Sequence, residues 1–334
     1  MTKHFELLAP AGDFPSLIAA VEAGADSVYF GLKEFNMRQS AKNFNLNDLK
    51  RINEICKGVK KYLTINVVIY DNELKDLEEL IKQVKGKVDA IICWDMSIIE
   101  LCRKYKIPFH ISTQASVSNS ASAKFYKTLG AQRIILAREL NLKQIEEISK
   151  IIEVECFIHG AMCVAVSGRC FTSQFLLNKS ANRGECLQMC RRYYTIADAD
   201  GNELKLENNK VMSAKDLCML PFIEQLKKSG IKAFKIEGRN RSPEYVKTVV
   251  SIYRNALDNT LTKKQIEESM EKLKTVYNRG FSSGFYLGPP TDEDFSNTEY
   301  SESTERKISL GRVESYWPKA EVAAVKITSG HLKV

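Results

Sequence analysis

The chain lacks most of the motifs that announce a common function class. It has only four histidines, His4, His110, His159 and His331, and no H-E-x-x-H, so a zincin-type metalloprotease is excluded. No G-x-G-x-x-G follows a strand and no G-x-x-x-x-G-K-[ST] occurs, so neither a dinucleotide nor a P-loop nucleotide is indicated. The C-x3-C-x2-C run of radical SAM enzymes is also missing. No apolar run approaches the roughly 18 residues needed to cross a bilayer. The opening residues MTKHFE lead straight into a strand rather than a signal-peptide core, so the expected compartment is the cytoplasm.

What is present is a long, moderately apolar, basic chain. Its 334 residues, 44% of them apolar, can bury a full core as one large domain or two small ones. A net charge of +8 and a pI near 8.9 favour an anionic partner such as RNA, although lysine-rich solvated helices give the same balance. Nine cysteines, an odd number in a large chain without secretory features, argue for reduced thiols or thiolate ligands rather than a disulfide framework.

Eight short β-rich apolar runs recur, at 5–9, 27–31, 64–69, 90–94, 109–113, 133–137, 155–159 and 233–237. Between them lie stretches with apolar residues three and four apart, at 14–23, 46–56, 74–84, 98–105 and 142–151. Asn45, Asn72, Asn119 and Asn141 sit where helix N-caps belong. Strand–helix alternation on this scale predicts an α/β fold, a closed (β/α)8 TIM-like barrel, with a doubly wound open sheet as the alternative. Strand starts are roughly 20 to 37 residues apart until the seventh, after which 78 residues pass before the eighth. A Cys-rich insertion therefore leaves the C-terminal end of strand seven, the face on which barrel enzymes build their sites. The predicted division is a barrel over 1–290 with the insertion at 160–215, a linker at 291–307 and a partial small β domain at 308–334.

The insertion carries Cys163-x6-Cys170-x15-Cys186-x3-Cys190 in loop-like sequence, where an unneeded thiol would be exposed to oxidation. The spacing lacks the paired short knuckles of structural zinc and leans toward an iron–sulfur cluster, with zinc as the alternative. Cys56, Cys93, Cys102 and Cys156 fall on apolar faces and read as core. Cys218 either replaces Cys190 as fourth ligand or packs on a helix face with Leu217, Leu220 and Ile223; the core reading is the stronger.

The stretch ECFIHGAMCVAVSGRC at 155–170 resembles the signature of the U32 peptidase family, E-x-F-x-x-G-[SA]-hydrophobic-C-x4-G-x-C. LLAPAG at 7–12, ADSVYFG at 25–31, STQ at 112–114, NRGEC at 182–186 and FKIEGR at 234–239 look like the same family, so the resemblance covers residues 1 to about 290. Thr172 departs from it, standing where an aliphatic residue is expected. The resemblance implies either proteolysis, as the collagenase-like family name says, or a [4Fe–4S] cluster supporting oxygen-independent hydroxylation of tRNA, rRNA or a quinone ring. Relatives that hydroxylate tRNA uridine imply prephenate as an oxygen donor; a partner protein or a homo-oligomer is also open. A third reading is a binding or scaffold module stapled by zinc.

A serine or cysteine protease needs a nucleophile, a base and an orienting group, and only His110 and His159 lie at barrel-strand ends, with no nucleophile elbow around them. His159, four residues before Cys163, is an acid–base candidate or a hydrogen-bonded structural histidine. Lys235 and Glu237 alternate to the same side of strand eight and are expected as a buried pair, catalytic or filling a polar layer. Arg38 and Arg239 are expected to fork onto a dicarboxylate, and Asn66 and Gln114 to face a ligand or bridge water. Arg191-Arg192-Tyr193-Tyr194 offers cations beside rings, suited to phosphate contact and base stacking, or else a surface turn.

Overall fold

Alternation of short apolar strands with one-sided helices closes a parallel barrel. The computed structural model describes residues 5–204, 212–298, 300–306, 308 and 310–330, so His4 and His331 lie outside the described residues. Seven parallel strands follow in order: β1 (Glu6–Pro10), β2 (Ser27–Phe30), β3 (Lys60–Thr64), β4 (Ala90–Cys93), β5 (Phe109–Ile111), β6 (Arg133–Ile135) and β7 (Glu153–Gly160). Within the 78-residue interval come the two-residue strands β8 (Ile196–Ala197) and β9 (Glu203–Leu204) and then β10 (Asp216–Cys218). The eighth barrel strand, β11 (Ala233–Ile236), pairs with both β7 and β1 and closes the ring.

The helices fit the spacing from which they were expected. In α3 (Leu74–Val84), Leu77, Ile81 and Val84 are buried at i, i+4 and i+7, and charged residues take the outer face. Asn119 and Asn141 cap α5 (Ser120–Thr128) and α6 (Leu142–Ser149) by accepting from Ser122 N at 2.9 Å and Gln144 N at 3.0 Å. Asn72 does not cap: it lies inside a 3-10 turn, Asp71–Glu73, that precedes α3. The outer faces of the strands, among them Leu7, Val28, Leu63, Ile91 and Phe234, are fully buried beneath the helix layer, each contributing about 1.5–3 kcal/mol. Cys56, Cys93, Cys102 and Cys156 belong to this core.

The third strand runs over Lys60–Thr64 rather than 64–69. Ile65 and Val67 are buried in the following loop, so their apolarity marks burial, while the polar start of β3 reflects an ionic barrel floor. There Glu6 accepts from Ser27 Oγ and Tyr62 OH, each at 2.8 Å, and from both Nη atoms of Arg133 at 2.8 and 2.9 Å. Glu155 joins Arg133 at 3.4 Å to Lys235 at 2.8 Å.

The insertion returns to the barrel by β10, which lies antiparallel on β7 with Leu217 opposite Gly160 and Cys218 opposite His159. Cys218 is thus a buried strand residue, not part of a helix face, and its thiol contacts the Tyr253 hydroxyl at 3.6 Å. After the last barrel helix, α9 (Pro243–Asp258), and α10 (Lys263–Thr275), strand β12 (Phe281–Ser282) pairs with β10. The segment expected as a linker is laid against the insertion: Lys215 N donates to Asp294 O at 2.8 Å and Ser296 N to Ser213 O at 2.7 Å. Backbone polar groups left by the short β10 take these partners, which ties the segment down. Beyond it, β13 (Gly311–Trp317) and β14 (Val322–Ile327) form a largely exposed hairpin that, among the described residues, pairs only with itself.

Candidate active site

The strand ends and the insertion enclose a cavity of about 190 Å³ at the C-terminal mouth of the barrel. Interior positions of β2, β3, β7 and β11 supply Tyr29, Thr64, Phe157 and Lys235, the turn after β5 supplies Gln114, and the insertion supplies its four cysteines. Arg38, Asn66, Gln114, Lys235, Glu237, Arg239, Cys163, Cys170, Cys186 and Cys190 all line this one space.

His159 does not. Alternation from Glu155 and Phe157 would turn it inward, but the register shifts between Lys235 and Ile236, so that Phe157 faces Lys235 while His159 faces Ile236. The extra residue, Ile158, gives its carbonyl to Met219 N and Tyr253 OH, both at 2.9 Å, outside the barrel ladder. His159 is consequently 1% exposed among Tyr245, Tyr253 and Phe281, with Nδ1 3.3 Å from the Tyr253 hydroxyl. Burial, and secondarily the charge of Arg241, bring its pKa down to about 3. It is a neutral structural histidine, the second of its two sequence readings. His110 is buried on the barrel floor beside Tyr62, and no described histidine lines the cavity.

Lys235 and Glu237 share the cavity wall but not each other. Lys235 Nζ donates to Glu155 Oε1 at 2.8 Å and stands 4.2 Å from the centre of the Tyr29 ring. Burial lowers its pKa, and Glu155 counters part of that shift. Glu237 instead accepts from Arg38 Nε at 3.3 Å and Nη2 at 3.2 Å, and from Tyr29 OH at 3.3 Å. Burial alone would raise the Glu237 carboxyl, but the guanidinium groups of Arg38, Arg138 and Arg239 outweigh it and hold the pKa at about 2.

The arginine forks are occupied from within. Arg239 donates from Nη1 to Thr64 Oγ1 at 2.8 Å and from Nη2 to Asn36 Oδ1 at 2.9 Å, and Arg38 holds Glu237, so neither presents a free fork to a dicarboxylate. Asn66 Oδ1 accepts from Met37 N at 3.2 Å and fixes the loop that carries Arg38, while Gln114 Oε1 accepts from Ser112 Oγ. Gly31 permits the Arg239 contact, since a Cβ there would lie 2.3 Å from Arg239 Nη1.

Two cations at the site were not anticipated as ligands for substrate. Arg138, three residues beyond the end of β6, stacks 3.9 Å over the Phe157 ring and donates to Ala161 O at 2.7 Å, leaving its buried Nε without a partner among the described residues. Its place after a strand run was a usable signal. Arg241 lies 3.5 Å over the Tyr277 ring and also lines the cavity. Arg191, read from sequence as half of a phosphate-contact pair, is buried and donates to Met162 O at 2.5 Å, Ser213 Oγ at 3.2 Å and Ala214 O. It clamps the insertion to itself because the insertion's loop carbonyls have few other donors.

All four insertion cysteines are free thiols. Burial raises the Cys190 thiol, Arg191 opposes that rise, and Cys163, Cys186 and Cys170 each add to it, which places the four within electrostatic reach of one another. Arg38 in turn senses Cys186. A single zinc ion with Zn–S bonds near 2.3 Å needs thiolates about 3.8 Å apart. Among the described residues no group of three Cys, His, Asp or Glu side chains is drawn together closely enough to hold a metal ion of any kind. Four free thiols flanked by guanidinium groups line this one cavity, a donor set of the kind that thiolate-bound metal centres use.

Comparison with known proteins places the sequence in a family. The model of peptidase family U32 matches residues 12–296. The chain belongs to that family. A U32 relative called collagenase from Porphyromonas gingivalis is 42% identical over 99% of this chain and 84% of its own length. The tRNA hydroxylation protein P1 of Bacillus subtilis is 38% identical over 91% of this chain and 76% of its own. The 23S rRNA 5-hydroxycytidine C2501 synthase of Escherichia coli is 36% identical over 99% of this chain and half of its own length. No helix among the described residues is long and apolar enough to cross a membrane.

Proposed function

We propose that this U32 protein hydroxylates a pyrimidine of RNA, with Cys163, Cys170, Cys186 and Cys190 as ligands of a [4Fe–4S] cluster. The observation that carries the reading is the convergence of four free thiols and a surplus of guanidinium groups on one cavity at the barrel mouth. When bound, such a cluster supplies one-electron redox chemistry. The residues of the chain do the rest. Arg38, Arg239 and Glu237 form a hydrogen-bonded and ion-paired wall in which Arg239 is buried and Arg38 half-buried, and Lys235 keeps a cation between two rings at the floor. Arg138, with an unused Nε, is the group best placed for a carboxylate of an oxygen donor of the prephenate kind. The relatives named for tRNA and 23S rRNA hydroxylation support RNA as the substrate class, and the charge of +8 suits it.

The competing reading, a collagenase-like peptidase, rests on the name of the 42% identical relative. It lacks support from the site, because no described histidine reaches the cavity to serve as a base. Nucleoside mass spectrometry separates the two. RNA from cells lacking the gene should lose a pyrimidine heavier by one oxygen atom, and the wild-type gene should restore it while Cys170→Ala does not. An unchanged nucleoside profile, with gelatin cleaved by metal-free protein, would establish the peptidase.

A further inference from the structure

The insertion exposes an apolar rim where a soluble domain ordinarily keeps charge. Phe175 is 84% exposed, Phe171 57% and Leu176 54%, all on or beside the short helix α7 (Thr172–Leu177), and Phe171 directly follows Cys170. The Phe171 and Phe175 rings lie 6.0 Å apart at 37° and are open to solvent, with Phe171 next in sequence to the cavity-lining Cys170. Large exposed rings in a cluster mark a contact surface.

Charge identifies the partner. Residues 160–197 hold five Lys and Arg and a single acid, Glu185, which Lys179 holds at 3.1 Å. Arg183 is committed to Glu73 and Arg191 is buried, but Arg169 and Arg192 are exposed and have no side-chain partner among the described residues. Protein–protein interfaces also enrich aromatic residues and Arg, so the one-sided charge, five cations to one acid, is what favours a polyanion. Rings accompanied by unpaired guanidinium groups are the composition of a single-strand nucleic-acid platform, bases on the rings and phosphates on the cations. Enzymes that act on a base take it out of its stack, so a surface at the mouth must hold its neighbours.

We propose that Phe171 and Phe175, with Arg169, form a stacking platform that seats an unpaired stretch of RNA beside the target nucleotide. The proposal rests on the RNA reading above and deepens it by naming the strand state and the residues that receive it.

The test uses anaerobically purified, metal-loaded full chain and a short fluorescein-labelled single-stranded RNA, with the matching duplex and a collagen-like peptide as competitors. Phe175→Ala should weaken single-strand binding about 5- to 100-fold, the worth of one stacked base. Phe175→Leu should be as weak as Phe175→Ala, Phe175→Trp should bind like wild type, and Arg169→Gln should reduce the salt dependence. Metal content unchanged from wild type verifies folding in each variant. Full retention of affinity by Phe175→Ala or by Phe175→Leu would overturn the platform while leaving RNA as substrate. Displacement of the RNA by peptide, or self-association of the chain that Phe175→Ala abolishes, would assign the rim to a protein instead. Failure of wild type to bind any RNA would remove the functional reading itself.

Discussion

Lys235 and Glu237 sit two residues apart on the same wall of the cavity, yet Lys235 pairs with Glu155 at 2.8 Å and Glu237 with Arg38 at 3.2 Å. The consequence is two separate ionic systems, one buried and one half-buried. One closes the barrel floor through Glu6, Arg133, Glu155 and Lys235; the other shapes the mouth.

Among the described residues Glu237 is the one carboxylate that lines the mouth, which makes the mouth sensitive to its loss. Glu237→Gln leaves Arg38 without an anion and Arg138 and Arg239 nearby, so stability at pH 7 should fall by roughly 2–4 kcal/mol. The folded pKa of about 2 lies below the ordinary 4.5, so the stabilisation is complete above about pH 4.5 and is lost as pH falls toward 2. Urea unfolding at pH 7 and at successive lower pH values should show a gap between wild type and variant that narrows across that window. A gap constant with pH would separate the stabilisation from Glu237 ionisation.

The floor should respond asymmetrically. Glu155→Gln removes the only carboxylate that Lys235 touches among the described residues, leaving a buried cation unpaired, whereas Lys235→Met leaves Glu155 with Arg133 at 3.4 Å. Breaking such a pair costs about 3–5 kcal/mol when the surviving charge has no other partner. Glu155→Gln should therefore destabilise more than Lys235→Met, and the double variant should recover part of the loss, as read by denaturation midpoints. Equal costs for the two single variants would contradict this account.

The barrel was legible because seven of the eight apolar runs and the intervening helical spacings survive locally, the third run alone being displaced from its strand, and so was the insertion, since a 78-residue gap has no other place in such a ring. The convergence of Arg38, Asn66, Gln114, Glu237 and the four cysteines on one cavity followed from their positions at strand ends. What alternation cannot convey is a bulge: one extra residue at Ile158 reverses the face of His159. Pairing at a distance is equally hidden. Nothing in the neighbourhood of Lys235 indicates that its partner is Glu155 rather than Glu237, or that Arg191 turns inward to bond loop carbonyls.

That inversion of His159 makes a separable prediction. His159→Phe should keep the activity of the site, because the ring faces Tyr253 and not the cavity. Its folded pKa of about 3 lies below the ordinary 6.5, so the unfolded chain takes up a proton first as pH falls. Stability from this group is complete above about pH 6.5 and declines toward pH 3. The variant should show a flatter acid limb of stability over that range, and an activity–pH profile that coincides with wild type. A lost or shifted acidic limb of activity in the variant would restore His159 as a proton-transfer group.

The cysteines divide the same way, by the face they occupy. Cys163, Cys170, Cys186 and Cys190 line the cavity, whereas Cys218 is buried on β10 against Tyr253, with its thiol pushed up to about 11 by burial. Anaerobically purified wild type should carry about four irons and four sulfides per chain and a broad visible absorption. Replacing any one of Cys163, Cys170, Cys186 or Cys190 by Ser should lower iron content and bleach the band, with the barrel's cooperative unfolding retained. Cys218→Ala should keep iron and colour while losing roughly 1–2 kcal/mol of stability, the cost of a small buried void. Loss of iron on Cys218→Ala with full retention on Cys190→Ser would exchange their roles. One zinc and no colour in wild type would replace the cluster altogether and return the insertion to a structural staple.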